Sequence, residues 1–269
     1  MQIHFTTREA ELLHAVAKAA AVLDIPAFAV GGFVRDKILN RPTKDIDIVC
    51  MGDGMELAQA FAKLFKPMPP VSLFKTFGTA QVKFQDIEIE FVGARKESYS
   101  RDSRKPQVAP GTIEDDQNRR DFTINALAVE LSDAHFGTII DPFGGLADLE
   151  KGILKTPLAP DQTFDDDPLR MMRAIRFATQ LDFTITEETF QSIKSMAGRI
   201  KIVSQERITD ELQKIMLTKK PSKGWYLLKD AGLLEYIFPL LLQLEGAETL
   251  DGIGYKDNGK ACLNEPERI

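Results

Sequence analysis

The fold is decided by residues 27–50, which read AFAVGGFVRDKILNRPTKDIDIVC. The short apolar run Ala27–Val30 predicts a strand that ends at two glycines. Gly31 and Gly32 permit a tight turn and expose backbone N–H groups at the start of the next helix, an arrangement that suits a phosphate group. Arg35 falls in the first turn of that helix, where its guanidinium can reach the same anion. An ordinary strand-to-helix turn has the same pattern, so the glycines alone do not decide the function.

Two aspartates lie at the start of a second predicted strand, Asp45–Cys50. Successive side chains of a strand point to opposite faces, so Asp45 and Asp47 share one face while Ile46 and Ile48 face the core. Two neighbouring carboxylates repel each other unless a cation lies between them. Mg²⁺ binds proteins through one or two carboxylates together with substrate phosphates. Taken alone, such a pair is more often the solvated face of an edge strand.

A second acidic strand follows a predicted hairpin whose turn is Gln85-Asp86. On this strand Glu88 and Glu90 share one face, and apolar residues fill the other. If the strand lies beside the aspartates, one glutamate completes a cluster of three carboxylates that can hold two metal ions about 4 Å apart. The alternative for each glutamate is an exposed antiparallel strand.

The remaining pattern predicts a mixed first part and a helical second part. Before residue 120 the apolar spacing predicts helices at 8–23 and 56–65, and the polar, proline-containing stretch 95–116 predicts a mobile loop. From about residue 161 the pattern is helical, with candidate helices at 167–181, 186–197, 204–217 and 221–231.

Composition excludes several classes of protein. The chain has 269 residues, a formal net charge of −6 and two cysteines, too few for a disulfide framework. It has no apolar run close to the roughly 20 residues that cross a bilayer, and residues 1–11 lack the pattern of a secretory signal; both features favour a cytoplasmic location. Neither GxGxxG nor GxxxxGK[ST] occurs, so dinucleotide-dependent redox chemistry and P-loop hydrolysis have no support.

Five motifs, taken in chain order, resemble those of the class II CCA-adding enzymes and bacterial poly(A) polymerases. They are GGFVRD at 31–36 with DID at 45–47, RRDFTINA at 119–126, DPFGG at 141–145, DDPLRMMRAIRF at 166–177, and ERITDEL at 206–212. The resemblance implies an α+β fold: a polymerase-β-like nucleotidyltransferase head with a mixed sheet over residues 1–150, an all-helical, nucleotide-selecting neck over 151–220, and the start of a helical body over 221–269 that is shorter than in the family.

The resemblance also implies a catalytic site. Asp45 and Asp47 would hold Mg²⁺, and Glu90 would be the third catalytic carboxylate. Nucleotide contacts would come from Gly31, Gly32, Arg35, Arg120 and Asn125. A triphosphate carries about four negative charges, which metal ions and arginines must offset.

The helix after Asp167 is where the resemblance places base selection. Asp167 and Arg170 would read the Watson–Crick edge, and the amino group shared by cytosine and adenine would distinguish CTP and ATP from UTP and GTP. Arg173 and Arg176 follow at intervals of three, which predicts one stripe of arginines facing the nucleotide; a basic, solvated helix face is the alternative. Glu206, Arg207 and Glu211 are expected to brace this helix rather than touch substrate.

The sequence therefore predicts a Mg²⁺-dependent enzyme that adds C and A from CTP and ATP to the 3′ end of a transfer RNA. No basic cluster follows the DID strand, which favours this activity over poly(A) synthesis. A non-catalytic nucleotide- or RNA-binding remnant is the third alternative, because the family's C-terminal RNA-holding region is missing. The sequence leaves open the choice between CCA, CC and A addition, the completeness of the chain and the oligomeric state.

Overall fold

The protein is described here by a computed structural model over residues 3–100 and 103–242. The chain divides into two compact units, an N-terminal unit that ends at Glu150 and a C-terminal unit that begins at Lys151. The first contains a mixed sheet with helices and the second is almost wholly helical, which confirms the predicted α+β fold class. The body predicted beyond residue 242 lies outside the described residues.

The N-terminal unit is built on a seven-stranded sheet. Its elements are α1 Thr7–Val22, β1 Ala27–Val30, α2 Gly32–Ile38, β2 Asp45–Cys50, α3 Gly54–Ala62, β3 Val71–Phe74, β4 Thr79–Phe84, β5 Ile87–Gly93, β6 Arg95–Ser100, β7 Ser103–Pro110, α4 Ile113–Asn118, β8 Ala128–Glu130, β9 Ile139–Ile140 and α5 Gly145–Lys151. The strand order is β3-β4-β5-β2-β1-β8-β9. Within this sheet β2 and β5 pair in parallel, and the other neighbouring strands pair antiparallel.

The parallel pair places the predicted acidic strands side by side. Its register sets Asp45 opposite Glu88 and Asp47 opposite Glu90. The alternate residues Ile46, Ile48 and Ile89 are buried on the other face. A parallel pair needs a crossover, and here α3 and the β3–β4 hairpin supply it.

Local signals explain where the first helices begin. Thr6 and Glu9 form a capping box at the start of α1, and Leu12, Leu13 and Val16 bury its apolar face. Helix α3 starts at Gly54, two residues before the predicted boundary, because the Asp53 side chain accepts the backbone N–H of Met55 at 2.7 Å.

The prediction of a mobile loop over 95–116 is wrong. The structure forms an antiparallel hairpin from β6 and β7, with Arg95 opposite Pro110, followed by α4. A two-stranded ribbon is held by backbone pairing and does not need an apolar face. A search for alternating apolar residues therefore misses it.

The C-terminal unit contains β10 Ile153–Leu154, α6 Pro160–Asp166, α7 Leu169–Leu181, β11 Thr184–Ile185, α8 Glu187–Met196, α9 Gln205–Met216, α10 Pro221–Asp230, α11 Leu234–Ile237 and α12 Pro239–Leu242. Helix α7 contacts α9 and α10, and its apolar residues Met171, Met172 and Ile175 are fully buried. In the part of the chain that the structure describes, no helix combines the length and hydropathy needed to cross a membrane.

Helix α7 begins later than predicted. Asp167 has an extended backbone, with φ −144° and ψ 102°, and separates α6 from α7. The cause is Pro168, whose ring disfavours helical backbone in the residue before it. Asp167 therefore precedes the helix that the sequence placed it on, and its side chain accepts the N–H of Leu169 at 3.1 Å.

Candidate active site

Asp45, Asp47, Glu88 and Glu90 lie along one edge of an open cleft of about 420 Å³ in the N-terminal unit. The start of α2 supplies part of the remaining lining, including Gly32 and Arg35. The strands therefore provide carboxylates, and the start of α2 provides the N–H of Gly32 and the guanidinium of Arg35. The Gly31 N–H instead donates to the Leu127 carbonyl at 3.1 Å.

The two glutamates of β5 have different surroundings. Glu88 accepts a hydrogen bond from the Gln81 amide at 3.0 Å and lies 3.2 Å from the Lys83 ammonium. Glu90 is the register partner of Asp47. Burial raises the pKa of Glu90 and the charge of Asp47 adds to the rise, while Arg95 acts in the opposite direction. Glu90 is thus the β5 carboxylate whose pKa is affected by the charge of Asp47.

Asp47 is the second member of the acidic group whose pKa is raised. Burial raises its pKa above the ordinary value, Arg120 opposes the rise, and the neighbouring Asp45 and Asp116 add to it. A carboxylate held in this way gains from a nearby cation, because the cation offsets both the lost solvation and the repulsion. The pair of Asp45 and Asp47 fits Mg²⁺, which binds through one or two carboxylates and keeps places for waters and phosphate oxygens.

The three-carboxylate ligand set that the sequence allowed is not assembled by the protein alone. Over residues 3–100 and 103–242, no three His, Cys, Asp or Glu side chains converge closely enough to hold a metal ion. The strands bring Glu90 beside Asp47 in register, but strand pairing fixes backbone positions and not the directions of side-chain tips. The fit to Mg²⁺ therefore rests on Asp45 and Asp47, with further ligands from substrate.

Gly31 has a conformation and an environment that require glycine. Its φ is +71°, which favours glycine, and a Cβ there would lie 2.7 Å from Nη1 of Arg120. Arg120 therefore packs directly against the turn that begins α2. Any larger residue at position 31 would displace this guanidinium.

Asp116 holds the arginines of the RRD motif, a role that the sequence analysis missed. It is completely buried, accepts Nε and Nη2 of Arg120 at 3.0 and 2.8 Å, and is also paired with Arg119. Burial alone would raise the pKa of Asp116, but Arg120 and Arg119 lower it below the ordinary value. Burial likewise opposes the charge on Arg120, yet Asp116 raises its pKa, so Arg120 stays charged. Arg120 stands four residues after Asp116, just beyond the end of α4, and this spacing is a signal that was available in the sequence.

A second network fixes Arg35. Its Nη1 donates to Oδ1 of Asn125 at 2.7 Å, and its Nε and Nη2 donate to the Asp36 carboxylate at 3.0 and 2.9 Å. Asn125 in turn donates to Oδ1 of Asp121 at 2.9 Å. The predicted Arg35 and Asn125 thus belong to one buried chain of hydrogen bonds, and Asp121 is a member that the sequence analysis did not assign.

In the C-terminal unit, both carboxylate oxygens of Asp167 are engaged. Oδ1 caps α7, and Oδ2 accepts Nη2 of Arg207 at 2.9 Å. Arg170 lies in the first turn of α7, where its Nη1 is 3.4 Å from the Thr163 carbonyl oxygen. Arg207 therefore contacts the residue that caps α7, as a bracing role requires, and its lack of contact with substrate stays a prediction.

The structure divides the predicted arginine stripe. Arg176 is buried: Nε donates to Glu211 at 2.6 Å, Nη1 donates to Gln180 at 3.1 Å, and the guanidinium lies 3.9 Å from the centroid of the Phe177 ring. Arg173 is half-buried, 5.3 Å from the same centroid. Glu211 braces α7 as predicted, and Arg176 serves as its partner rather than as part of an open basic face. The repeat of three could not reveal this, because it does not show which side of α7 is covered by α9.

Comparisons with known proteins agree with the motif order. Residues 27–155 match the model described as the poly A polymerase head domain, and residues 182–244 match the model described as the probable RNA and SrmB-binding site of polymerase A. An A-adding tRNA nucleotidyltransferase of Aquifex aeolicus is 38% identical over 70% of this chain and 22% of its own length. A CCA-adding enzyme of Lactobacillus johnsonii is 38% identical over 78% of this chain and 51% of its own length.

The fold has solved counterparts as well. A CCA-adding enzyme in complex with ATP is 34% identical, with a TM-score of 0.77 over 87% of this chain and 54% of that one. The chain thus spans about half or less of the length of the curated relatives above.

Proposed function

Since the chain belongs to the family of CCA-adding enzymes and bacterial poly(A) polymerases, we propose that it transfers nucleotides to the 3′ end of a transfer RNA. The observation that carries the proposal is the pairing of β2 with β5, which sets Asp47 beside Glu90 in the cleft that the glycine turn also lines. In the proposed reaction CTP and ATP are the substrates and Asp45 and Asp47 hold Mg²⁺.

The transfer forms one bond and breaks another. The terminal 3′-oxygen of the RNA bonds to the α-phosphorus, and the bond from that phosphorus to the oxygen bridging towards the β-phosphate breaks, so pyrophosphate leaves. The hydroxyl proton passes to the Glu90 carboxylate, which lines the cleft and is the register partner of Asp47. Bound Mg²⁺ would offset phosphate charge and favour the hydroxyl's ionisation.

The basic groups of the N-terminal unit have complementary tasks. Arg120, held charged by Asp116, and Arg35, held by Asp36 and Asn125, present fixed positive charge towards the phosphates. The N–H group of Gly32 lies at the start of α2 for the same anion, whereas the Gly31 N–H donates to the Leu127 carbonyl at 3.1 Å. In the C-terminal unit, Asp167 and Arg170 read the base, and Arg207 positions the Asp167 carboxylate.

The first test is extension of a transfer RNA that lacks its 3′ CCA, with each of the four labelled nucleoside triphosphates in Mg²⁺. We expect addition from CTP and ATP only. Asp45→Ala should abolish it, because one carboxylate of the metal pair is lost, and Glu90→Gln should reduce kcat by about 100-fold or more, as for loss of a general base.

Glu88→Gln is the matched control. Glu88 is on the same face of the same strand, but it is bound to Gln81 and Lys83, so we expect less than a tenfold effect. Unaltered incorporation by Asp45→Ala would overturn the assignment. Binding of triphosphate without extension would instead identify a non-catalytic remnant, and long A tails on unrelated RNA would identify a poly(A) polymerase.

A further inference from the structure

A second pocket of about 430 Å³ adjoins the catalytic cleft. It is lined by Phe74, Phe77, Thr79, Gln81, Glu90 and Arg95. Gln81 and Glu90 line both the pocket and the cleft, so the two spaces meet at the β5 carboxylate to which a catalytic role was given above.

Two phenylalanine rings in this pocket are open to solvent. Phe74 is 46% exposed and Phe77 is 69% exposed. They flank the turn between β3 and β4, where the Phe77 N–H donates to the Phe74 carbonyl at 2.9 Å and Gly78 follows with φ +64°. The turn therefore holds both rings at the edge of the sheet without burying either in the core.

Two cationic side chains lie near the rings, and one carboxylate, that of Glu90, also lines the pocket. Arg95 lines the pocket, and Lys75 is exposed within the same turn. Aromatic rings next to cationic side chains are the usual means of binding single-stranded nucleic acid, because bases stack on the rings and the cations attract the phosphates. An apolar peptide segment would gain from the rings but not from the two cations.

We propose that Phe74 and Phe77 form a stacking platform for the last base of the RNA that is extended. This inference rests on the proposed function and adds to it a site for the acceptor nucleotide. A base stacked on the platform leaves its ribose towards Glu90, which lines both spaces, so the 3′-hydroxyl meets the carboxylate that takes its proton. Stacking is tolerant of base identity, which is needed where the last base changes from one addition to the next.

The test uses the full chain and a transfer-RNA acceptor stem-loop whose 3′-terminal base is 2-aminopurine, a fluorophore that stacking quenches. Without triphosphate, binding to the wild-type protein should quench the fluorescence, and Phe77→Ala should remove most of the quenching. In extension assays Phe77→Ala should raise KM for the RNA by about 5- to 150-fold and leave KM for CTP and ATP within about twofold.

Two variants serve as controls. Phe77→Tyr keeps an aromatic face and should preserve both quenching and KM. Val22→Ala alters a side chain that is 74% exposed on α1, outside the pocket, and should change neither readout. Phe77 makes little contact with the core, so Phe77→Ala should melt at the wild-type temperature.

The outcomes separate this inference from the proposed function. If Phe77→Ala retains wild-type quenching and KM for the RNA, the platform is wrong, and an apolar protein segment becomes the occupant to seek. If the wild-type protein quenches the probe but adds no nucleotide, the platform stands and the proposed reaction fails. If it neither quenches nor extends, both fail.

Discussion

At the scale of single residues, the carboxylates of the N-terminal unit fall into two classes. Asp116 has its charge fully compensated by two arginines, and its pKa is lowered below the ordinary value even though burial opposes this. Asp47 has a raised pKa, since burial and Asp45 outweigh Arg120. Asp116 is therefore part of a structural ion pair, whereas the negative charge of Asp47 is unfavourable until a cation binds near it.

Because the pKa of Asp47 is raised, we expect that replacing this aspartate increases the stability of the protein while it removes the activity. When a carboxyl group has a higher pKa in the folded state than in the unfolded state, the protein loses stability as the pH rises from the lower pKa to the higher one. The loss persists at neutral pH. Asp47→Asn should therefore raise Tm at pH 7 without divalent cations, by about 2–4 °C per kcal/mol relieved. The gain should shrink towards pH 4, and nucleotide addition should be lost.

Thermal unfolding by circular dichroism with chelator present measures this directly. Asp133→Asn is the control, because Asp133 is an exposed aspartate of the same unit and its replacement should leave Tm unchanged. A lower Tm for Asp47→Asn than for wild type at pH 7 would contradict the reasoning.

At the scale of elements, the pairings of strands and helices differ in whether a local sequence signal predicts them. The β4–β5 hairpin follows from its turn signal, and β1 and β2 follow from their apolar patterns. The parallel pairing of β2 with β5 cannot be predicted from local signals. A crossover of more than 30 residues separates the two strands, and no local pattern shows which strands pair. The same holds for α7 and α9, which are joined by Arg176 and Glu211.

Substitutions in the Arg176–Glu211 pair test whether Arg176 stabilises the fold or contacts the nucleotide. Glu211→Leu leaves a buried guanidinium without its carboxylate and should cost about 3–5 kcal/mol of unfolding free energy, whereas Arg176→Met with Glu211→Leu should recover most of it. The double variant should keep the wild-type KM for CTP and ATP. Chemical denaturation and initial-rate kinetics measure the two effects.

The same helix offers a matched control. Asp210 and Lys214 form an exposed pair on α9, and Asp210→Asn should change stability by less than about 0.5 kcal/mol. If the stable double variant shows a rise of tenfold or more in KM for the triphosphate, Arg176 contacts the nucleotide, as the sequence predicted.

At the scale of the whole molecule, the proposed tasks are divided between the two units. The acidic cleft, the glycine turn and the stacking platform belong to the N-terminal unit, while Asp167, Arg170 and Arg207 belong to the C-terminal unit. Variants of the two units should therefore have different kinetic signatures. Loss of a carboxylate in the cleft should lower addition of every nucleotide equally, and loss of Asp167 should change which nucleotide is added.

Asp167→Ala is expected to lower the preference for CTP and ATP over UTP and GTP by about 10- to 100-fold, as for loss of one good base-edge contact. The quantity measured is the ratio of kcat/KM values for the four triphosphates, which is insensitive to partial unfolding. Asp230→Asn, an exposed change in the same unit, should leave the ratio unaltered. An unchanged ratio in Asp167→Ala would remove Asp167 from base selection.

The sequence by itself determined the α+β class, the strands at Ala27–Val30 and Asp45–Cys50, the β4–β5 hairpin and the family, because these depend on short-range periodicity, turn residues and motif order. The sequence also contained the signal for the helix break at Asp167, because Pro168 disfavours helical backbone in the residue before it. Only the tertiary structure decided that Glu90 is the register partner of Asp47, that Asp116 holds Arg120 and that Arg176 is buried against Glu211. Each depends on which elements pack together, and packing is set by long-range burial that no local pattern specifies.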